Sequence, residues 1–309
     1  MPGIEMGWGL QWVLWFQSWR TPLVEALFLP FHYLGTEDAY FLILPLVYWC
    51  IDARFGRRLA YVFLLNVWLN SWLKAWAARP RPYQVSDAVR NVITETSNGI
   101  PSGHAQFTTA LWGTIGVALR RRIWAVILIA VYIILMGISR IVLGVHFPQD
   151  VAAGWLLGLL AVVLYVTLDA PISAWLSNQG IAVQLALAVV VALVPLVIHP
   201  LWIPAANAAA LATAITPAGA LLGGGIGMVI ETRYVRFDAR GVWWKRLLRL
   251  VIGLVVVFGL RLGLGALFEG ASPEVLFRLL RYTVIGLWLT LAAPWLFVRI
   301  GLASRTEAL

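Results

Sequence analysis

The stretch from Ser139 to Asp150 sets a histidine and an acid, His146 and Asp150, between two long apolar runs. Their spacing suits nucleophilic catalysis. Pro148 fits the first turn of a helix, where its missing N–H costs nothing, so His146 is expected just before a helix that starts near Phe147. Asp150 then reaches back to one imidazole nitrogen, fixing the tautomer and turning the other nitrogen outward. The helix start adds partial positive charge for an anion at the same place. Ser102, Gly103 and His104 open another expected helix. Ser102 reads as its N-cap and Gly103 lets a ligand approach the backbone, so the pair can cradle oxygens that gain charge in phosphoryl transfer. His104 is placed to protonate a departing alkoxide. Lys74, Arg81 and Arg140 supply three cations that would repel one another without an anion between them, and phosphate fits that need. Each cluster alone has a plainer reading: a capped helix at the lipid interface, or cations snorkelling to headgroups.

The elements that position these residues are read from composition and order. Of 309 residues 61% are hydrophobic and 12% charged, with 17 Trp, so the chain is expected to be an all-α integral membrane protein anchored by aromatic belts. A net charge of +9 could suggest nucleic acid, but the arginines sit in short connections between apolar segments and form no binding stripe. No nucleic-acid partner is expected. Cys50, the single cysteine, has no internal disulfide partner, and the N-terminus lacks the basic and cleavage regions of a signal peptide.

Residues 1–20 are expected to form an interfacial helix, and 21–169 a six-helix core. Its spans are read at about 21–34, 39–51, 58–78, 101–119, 123–138 and 148–168, with a polar loop at 83–100 that could serve as a lid. Residues 169–180 read as a connection, followed in the 181–300 region by about four further segments, at 181–199, 206–230, 247–268 and 276–298. Gly219, Gly223 and Gly227 make a small-residue stripe that suits tight packing within the chain or a homodimer through these C-terminal helices. Arg261, in an apolar run, is either paired with Glu269 or Glu25 or snorkels. His32 and His199 match no motif and are read as interfacial. With alternating spans, most Lys and Arg residues collect on one side, which is expected to be cytoplasmic and to hold both termini. The three polar clusters then meet on the extracytoplasmic face, of a cell (inner) membrane.

Lys74, six residues, Arg81-Pro82; Pro101-Ser102-Gly103-His104; and Ser139-Arg140, five residues, His146, three residues, Asp150 together resemble the three-part signature of the type 2 phosphatidic acid phosphatase (PAP2) superfamily. The resemblance covers about 21–168 and leaves the later segments unassigned. It implies a PAP2-type core with His146 as nucleophile forming a phosphohistidine, Asp150 orienting it, and His104 as acid and base. Lys74, Arg81, Ser102, Gly103 and Arg140 would bind phosphate, with no metal and no other cofactor. It implies a phosphatase acting on a lipid phosphate or prenyl diphosphate. Alternatives are a soluble phosphate ester as in glucose-6-phosphatase, transfer from a lipid diphosphate to another acceptor, or a lipid carrier on an inactive core. A carrier has no need for a nucleophile and an acid together.

Overall fold

The computed structural model describes residues 5–202 and 208–306, and the side chain of His199 lies outside the described residues. Among the described residues the chain is helical, apart from one isolated antiparallel bridge between Phe237 and Arg305. Among the described residues, six stretches are long and apolar enough to cross a membrane: Ile123–Val142, Pro148–Ser177, Ile181–Ile198, Ala214–Val235, Trp243–Leu267 and Glu274–Arg299.

The helices divide into two compact units, Met1–Tyr40 with Leu69–Asp169, and Phe41–Trp68 with Ala170–Leu309. Residues 41–68 thus group by contact with the C-terminal helices. Large aromatics contribute to that grouping. Trp49, fully buried near the end of helix α3 (Glu37–Cys50), fills the notch left by Gly253 on α11 (Trp243–Leu267) and donates its indole N–H to the Leu289 carbonyl at 2.9 Å. Helix α4 (Ala53–Ala77) begins in this second unit and ends in the first.

In the first unit, α1 (Leu10–Ser18) packs Val13 on Val89, Ile141, Phe147 and Val151. The next helix, α2 (Pro22–Leu34), is 13 residues and about 20 Å long, short of a ~30 Å hydrocarbon core. Both its ends meet the C-terminal end of α7 (Ile123–Val142): Arg20 donates to the Val142 carbonyl at 3.0 Å, and His32 faces Arg140 at 3.3 Å. Helix α2 and the residues just before it thus border the end of α7 that carries Arg140. Helix α5 (Pro82–Val85) is one short turn within the polar loop.

Helix α6 (Gly103–Ala118) and α8 (Pro148–Ser177) are held close by the small residues of α8. A β-carbon on Gly154 would come 2.6 Å from the Ser102 carbonyl, and one on Gly158 would come 2.7 Å from the Gln106 carbonyl. This approach sets the starts of α6 and α8 side by side, and Ser102 N–H donates to the Asp150 carbonyl at 2.9 Å. Two boundaries differ from expectation. Helix α7 runs a turn further and carries Ser139 and Arg140, and α8 continues through Asp169 and Pro171 to Ser177. Pro171 forgoes one backbone hydrogen bond, and the flanking apolar residues continue the helix regardless.

In the second unit, α9 (Ile181–Trp202) and α10 (Ala208–Ile230) pair, and α10 lays its glycine stripe on α12 (Glu274–Leu287). β-Carbons on Gly223 and Gly227 would collide with the Thr283 carbonyl and the Thr290 hydroxyl. The stripe is thus used within the chain. Helix α12 continues through a π-helical turn, Trp288–Ala292, into α13 (Ala293–Arg299). Glu231, buried, is held by Arg57 at 2.9 Å and by Phe237 N–H at 2.8 Å. The Arg261 guanidinium lies over the Phe41 ring at 5.4 Å.

Candidate active site

All eight residues singled out from the sequence belong to the first unit. His146 is buried in the turn before α8, with Nδ1 3.2 Å from Asp150 Oδ2. A carboxylate only accepts, so Nδ1 carries the hydrogen and Nε2 keeps its lone pair. The same Oδ2 accepts from Phe147 N–H at 3.0 Å, which fixes the acid against the start of the helix. Arg81 Nη1 lies 3.2 Å from His146 Nε2 and donates to the Val145 carbonyl at 2.9 Å. Burial, reinforced by the positive charge of Arg81, Lys74, Arg140 and His104, holds His146 well below the usual histidine range. This favours the neutral imidazole.

Ser102 has the extended backbone of an N-cap, but its hydroxyl does not cap the helix. Its Oγ is buried with no hydrogen-bond partner among the described residues, and so is Arg140 Nε. Buried donors are normally paired, and both of these could meet an acceptor brought into the site. Asn70 braces this turn by donating to the Pro101 carbonyl at 3.2 Å and to Gln106 Oε1 at 2.9 Å.

Three residues that the sequence reading passed over complete the site. Glu95, from the polar loop, places Oε1 2.6 Å from Arg140 Nη2 and Oε2 3.9 Å from Arg81 Nη2. Ser97 and Asn98 of the same loop accept from the other cations: Lys74 Nζ reaches Ser97 Oγ at 2.9 Å and the Asn98 carbonyl at 2.7 Å, and Arg81 Nε reaches the Ser97 carbonyl at 2.7 Å. The signal for Glu95 was present in the sequence, since three converging cations need an anion and this loop carries an acid.

His32, read as interfacial, lies against two of the residues singled out from the sequence. Its ring stacks on His104 at 5.5 Å, its carbonyl accepts from His104 Nε2–H at 3.1 Å, and its Nδ1 lies 3.3 Å from Arg140 Nη1. A β-carbon at Gly35 would strike the His104 ring, so glycine is required where α2 ends. Donor atoms of His32, Glu95 and His104 lie within 4.8 Å of one another, a spacing that could hold a metal ion. The Arg140 guanidinium already touches two of the three, and that neighbour suits an anion.

With this geometry in view, the sequence profile of the PAP2 superfamily matches residues 55–172, and that of its transmembrane phosphatase extension matches residues 215–305. The bacitracin transport permease protein BcrC of Bacillus licheniformis is 32% identical over 45% of this chain and 70% of its own length. The chain belongs to the PAP2 superfamily. Sphingosine-1-phosphate phosphatase 1 of Mus musculus is 30% identical over 47% of the PAP2 chain described here, which spans only 37% of that relative's length. A crystal structure of a transmembrane PAP2-type phosphatidylglycerolphosphate phosphatase from Bacillus subtilis aligns with a TM-score of 0.47 and 26% identity, covering 53% of this chain and 85% of the other.

Proposed function

We propose that the protein is a membrane phosphatase that removes phosphate from a lipid phosphate or lipid diphosphate through a phosphohistidine on His146. The observation that carries this reading is the buried His146–Asp150 pair beside two unpaired buried donors, Ser102 Oγ and Arg140 Nε. The relative named for sphingosine-1-phosphate agrees with a phosphorylated lipid. Substrate phosphate displaces the loop acceptors from Lys74, Arg81 and Arg140, and Arg81 Nη1 leaves His146 Nε2 for a phosphate oxygen. The freed lone pair attacks phosphorus, and the N–H groups at the start of α6 with Ser102 Oγ stabilise the charge that develops on the oxygens. His104 donates Nε2–H to the His32 carbonyl, takes a second proton onto Nδ1 when the phosphate anion binds beside it, protonates the departing oxygen from Nδ1, and regains that proton from the water that cleaves the phosphohistidine. The site opens on the extracytoplasmic side of the cell membrane, because arginines 54, 57, 58 and 120–122 lie at the other ends of helices α4, α6 and α7.

The test is phosphate release by detergent-purified protein from a diacylglycerol phosphate, phosphatidylglycerol phosphate, a prenyl diphosphate and glucose phosphate, in EDTA, with His146→Ala alongside. Release that survives EDTA and disappears in the variant supports the histidine mechanism, and the rank order selects the substrate class. Turnover retained by His146→Ala would remove His146 from the mechanism.

A further inference from the structure

The anion seat has one wall that the superfamily signature does not supply. We propose that His32 and Arg140 form a second anion subsite on the leaving-group side of the scissile phosphate, which takes the second phosphate of a lipid diphosphate and which Glu95 fills when it is empty. The proposal rests on the phosphatase reading of the site.

The Glu95 carboxylate is an anion already seated in the chain, and its neighbours show where a foreign one would lie. It sits 2.6 Å from Arg140 Nη2 and 4.0 Å from His32 Nδ1, and it is within 4.8 Å of a ring nitrogen of His104. The last of these gives the direction. His104 is the proposed acid, so it faces the oxygen that departs, and an anion beside it lies on the side toward which the bond breaks. A second phosphate attached through that oxygen occupies this place.

The chemistry of His32 fits such a ligand. A guanidinium has only donors, so the 3.3 Å approach of Arg140 Nη1 makes His32 Nδ1 the acceptor and puts the ring hydrogen on Nε2. When a phosphate replaces Glu95, Arg140 keeps Nε for the scissile phosphate and turns Nη2 to an oxygen of the second, and His32 can bind a second proton and donate as a cation. The residue comes from α2, outside the 55–172 region that the superfamily profile matches, so it can differ among members without touching the shared chemistry.

The reaction balances with both phosphates in place. His146 Nε2 bonds to the terminal phosphorus, and the bond from that phosphorus to the bridging oxygen breaks. The electron pair stays on the bridging oxygen, which becomes part of a lipid monophosphate and receives the His104 proton. Water then attacks the phosphorus on His146, inorganic phosphate leaves, and the nitrogen regains its lone pair.

The test compares farnesyl diphosphate with farnesyl monophosphate, which share one tail, on the full-length protein in detergent, as wild type, His32→Ala and His32→Gln. Loss of one charge-assisted contact predicts a KM for the diphosphate raised about tenfold or more in His32→Ala, with partial recovery in His32→Gln and the monophosphate KM within about twofold. Equal losses on both substrates, or none, would overturn the subsite. Binding is measured separately: wild type should hold methylenediphosphonate more tightly than methylphosphonate, and His32→Ala should level the two. If wild type turns over neither farnesyl ester, the phosphatase reading fails, and the phosphonate preference still decides for or against the subsite.

Discussion

Glu95→Gln separates a loop that competes with substrate from one that merely packs beside it. Glu95 Oε1 is 2.6 Å from Arg140 Nη2, and Arg140 is fully buried. Hydrogen bonds between charged partners contribute about 1.5–3 kcal/mol, against about 0.5–1.5 kcal/mol for ordinary ones. The amide keeps the shape of the side chain and still accepts from Arg140, but the mutual charge is gone, a weakening of about 1–2 kcal/mol. Phosphate taking the Arg140 fork must first break this bond, so the variant should bind inorganic phosphate or orthovanadate about 5- to 30-fold more tightly. The empty variant should also be less stable, because it leaves a buried guanidinium without its counter-charge. Added phosphate should then raise its melting temperature in detergent more than it raises that of the wild type. Glu274→Gln makes the same change in net charge at an exposed pair with Arg278 and serves as the control. An unchanged or weaker phosphate affinity in Glu95→Gln, with the control unaltered, would refute the competition and make Glu95 a structural support of Arg140.

The nucleophile and its partners give further expectations. Asp150→Asn presents an amide N–H to His146 Nδ1 and favours the tautomer with hydrogen on Nε2, so kcat should fall about 10³- to 10⁴-fold and labelled phosphohistidine should vanish; a loss under tenfold would remove Asp150 from that role. His104→Ala should lose about 10²- to 10⁴-fold on an alkyl phosphate and much less on a nitrophenyl ester, whose leaving group needs no acid; equal losses would argue against His104 as the acid. His146 attacks only when neutral and its pKa is held well below the usual 6.5, so the acid limb of kcat/KM should lie below pH 6.5, and a limb at or above that value would contradict the depressed state. The sign for stability follows from the same shift. An unfolded chain binds the proton near pH 6.5 and the folded one does not, so stability is kept above about pH 6.5 and declines below it, a slope that His146→Gln should lessen. Gly223→Val should lower the melting temperature by overpacking α10 on α12, at a cost of about 1–3 kcal/mol, and an unchanged value would remove the stripe from the packing of the second unit.

The sequence made the chemistry of the site more legible than its framing. His146 with Asp150, and Ser102 with Gly103 and His104, could be read because each pair is local: a helix start fixes both members within one turn. Gly154 and Gly158 could be read as a packing face, and they are what brings the two helix starts together. His32 was not legible, since its place depends on the end of α2 meeting His104 and Arg140, which lie 72 and 108 residues further along the chain. The contacts of residues 41–68 with the C-terminal helices were not legible either: hydropathy marks Trp49 as apolar but does not say that Gly253, far along the chain, leaves the notch it fills. Glu95 was within reach. Three cations converging on one place demand an anion, and the reading looked for it outside the chain when the loop could supply one.

That internal anion changes what substrate binding means at this site. A guanidinium buried like those of Arg81 and Arg140 cannot stand without acceptors, so an empty phosphate seat lined by such groups would cost several kcal/mol. The loop removes the cost by lending Glu95, the Ser97 and Asn98 carbonyls and the Ser97 hydroxyl to the cations. Binding is therefore an exchange of acceptors, and only the difference between the incoming and departing ones appears as affinity. One carboxylate and a few neutral oxygens are outmatched by a dianion whose oxygens can face all three cations at once. A substrate with a single negative charge gains little over the loop it displaces. On the proposed function, the site selects for phosphate charge before the lipid tail has been read, through residues that lie several positions ahead of the helix they guard.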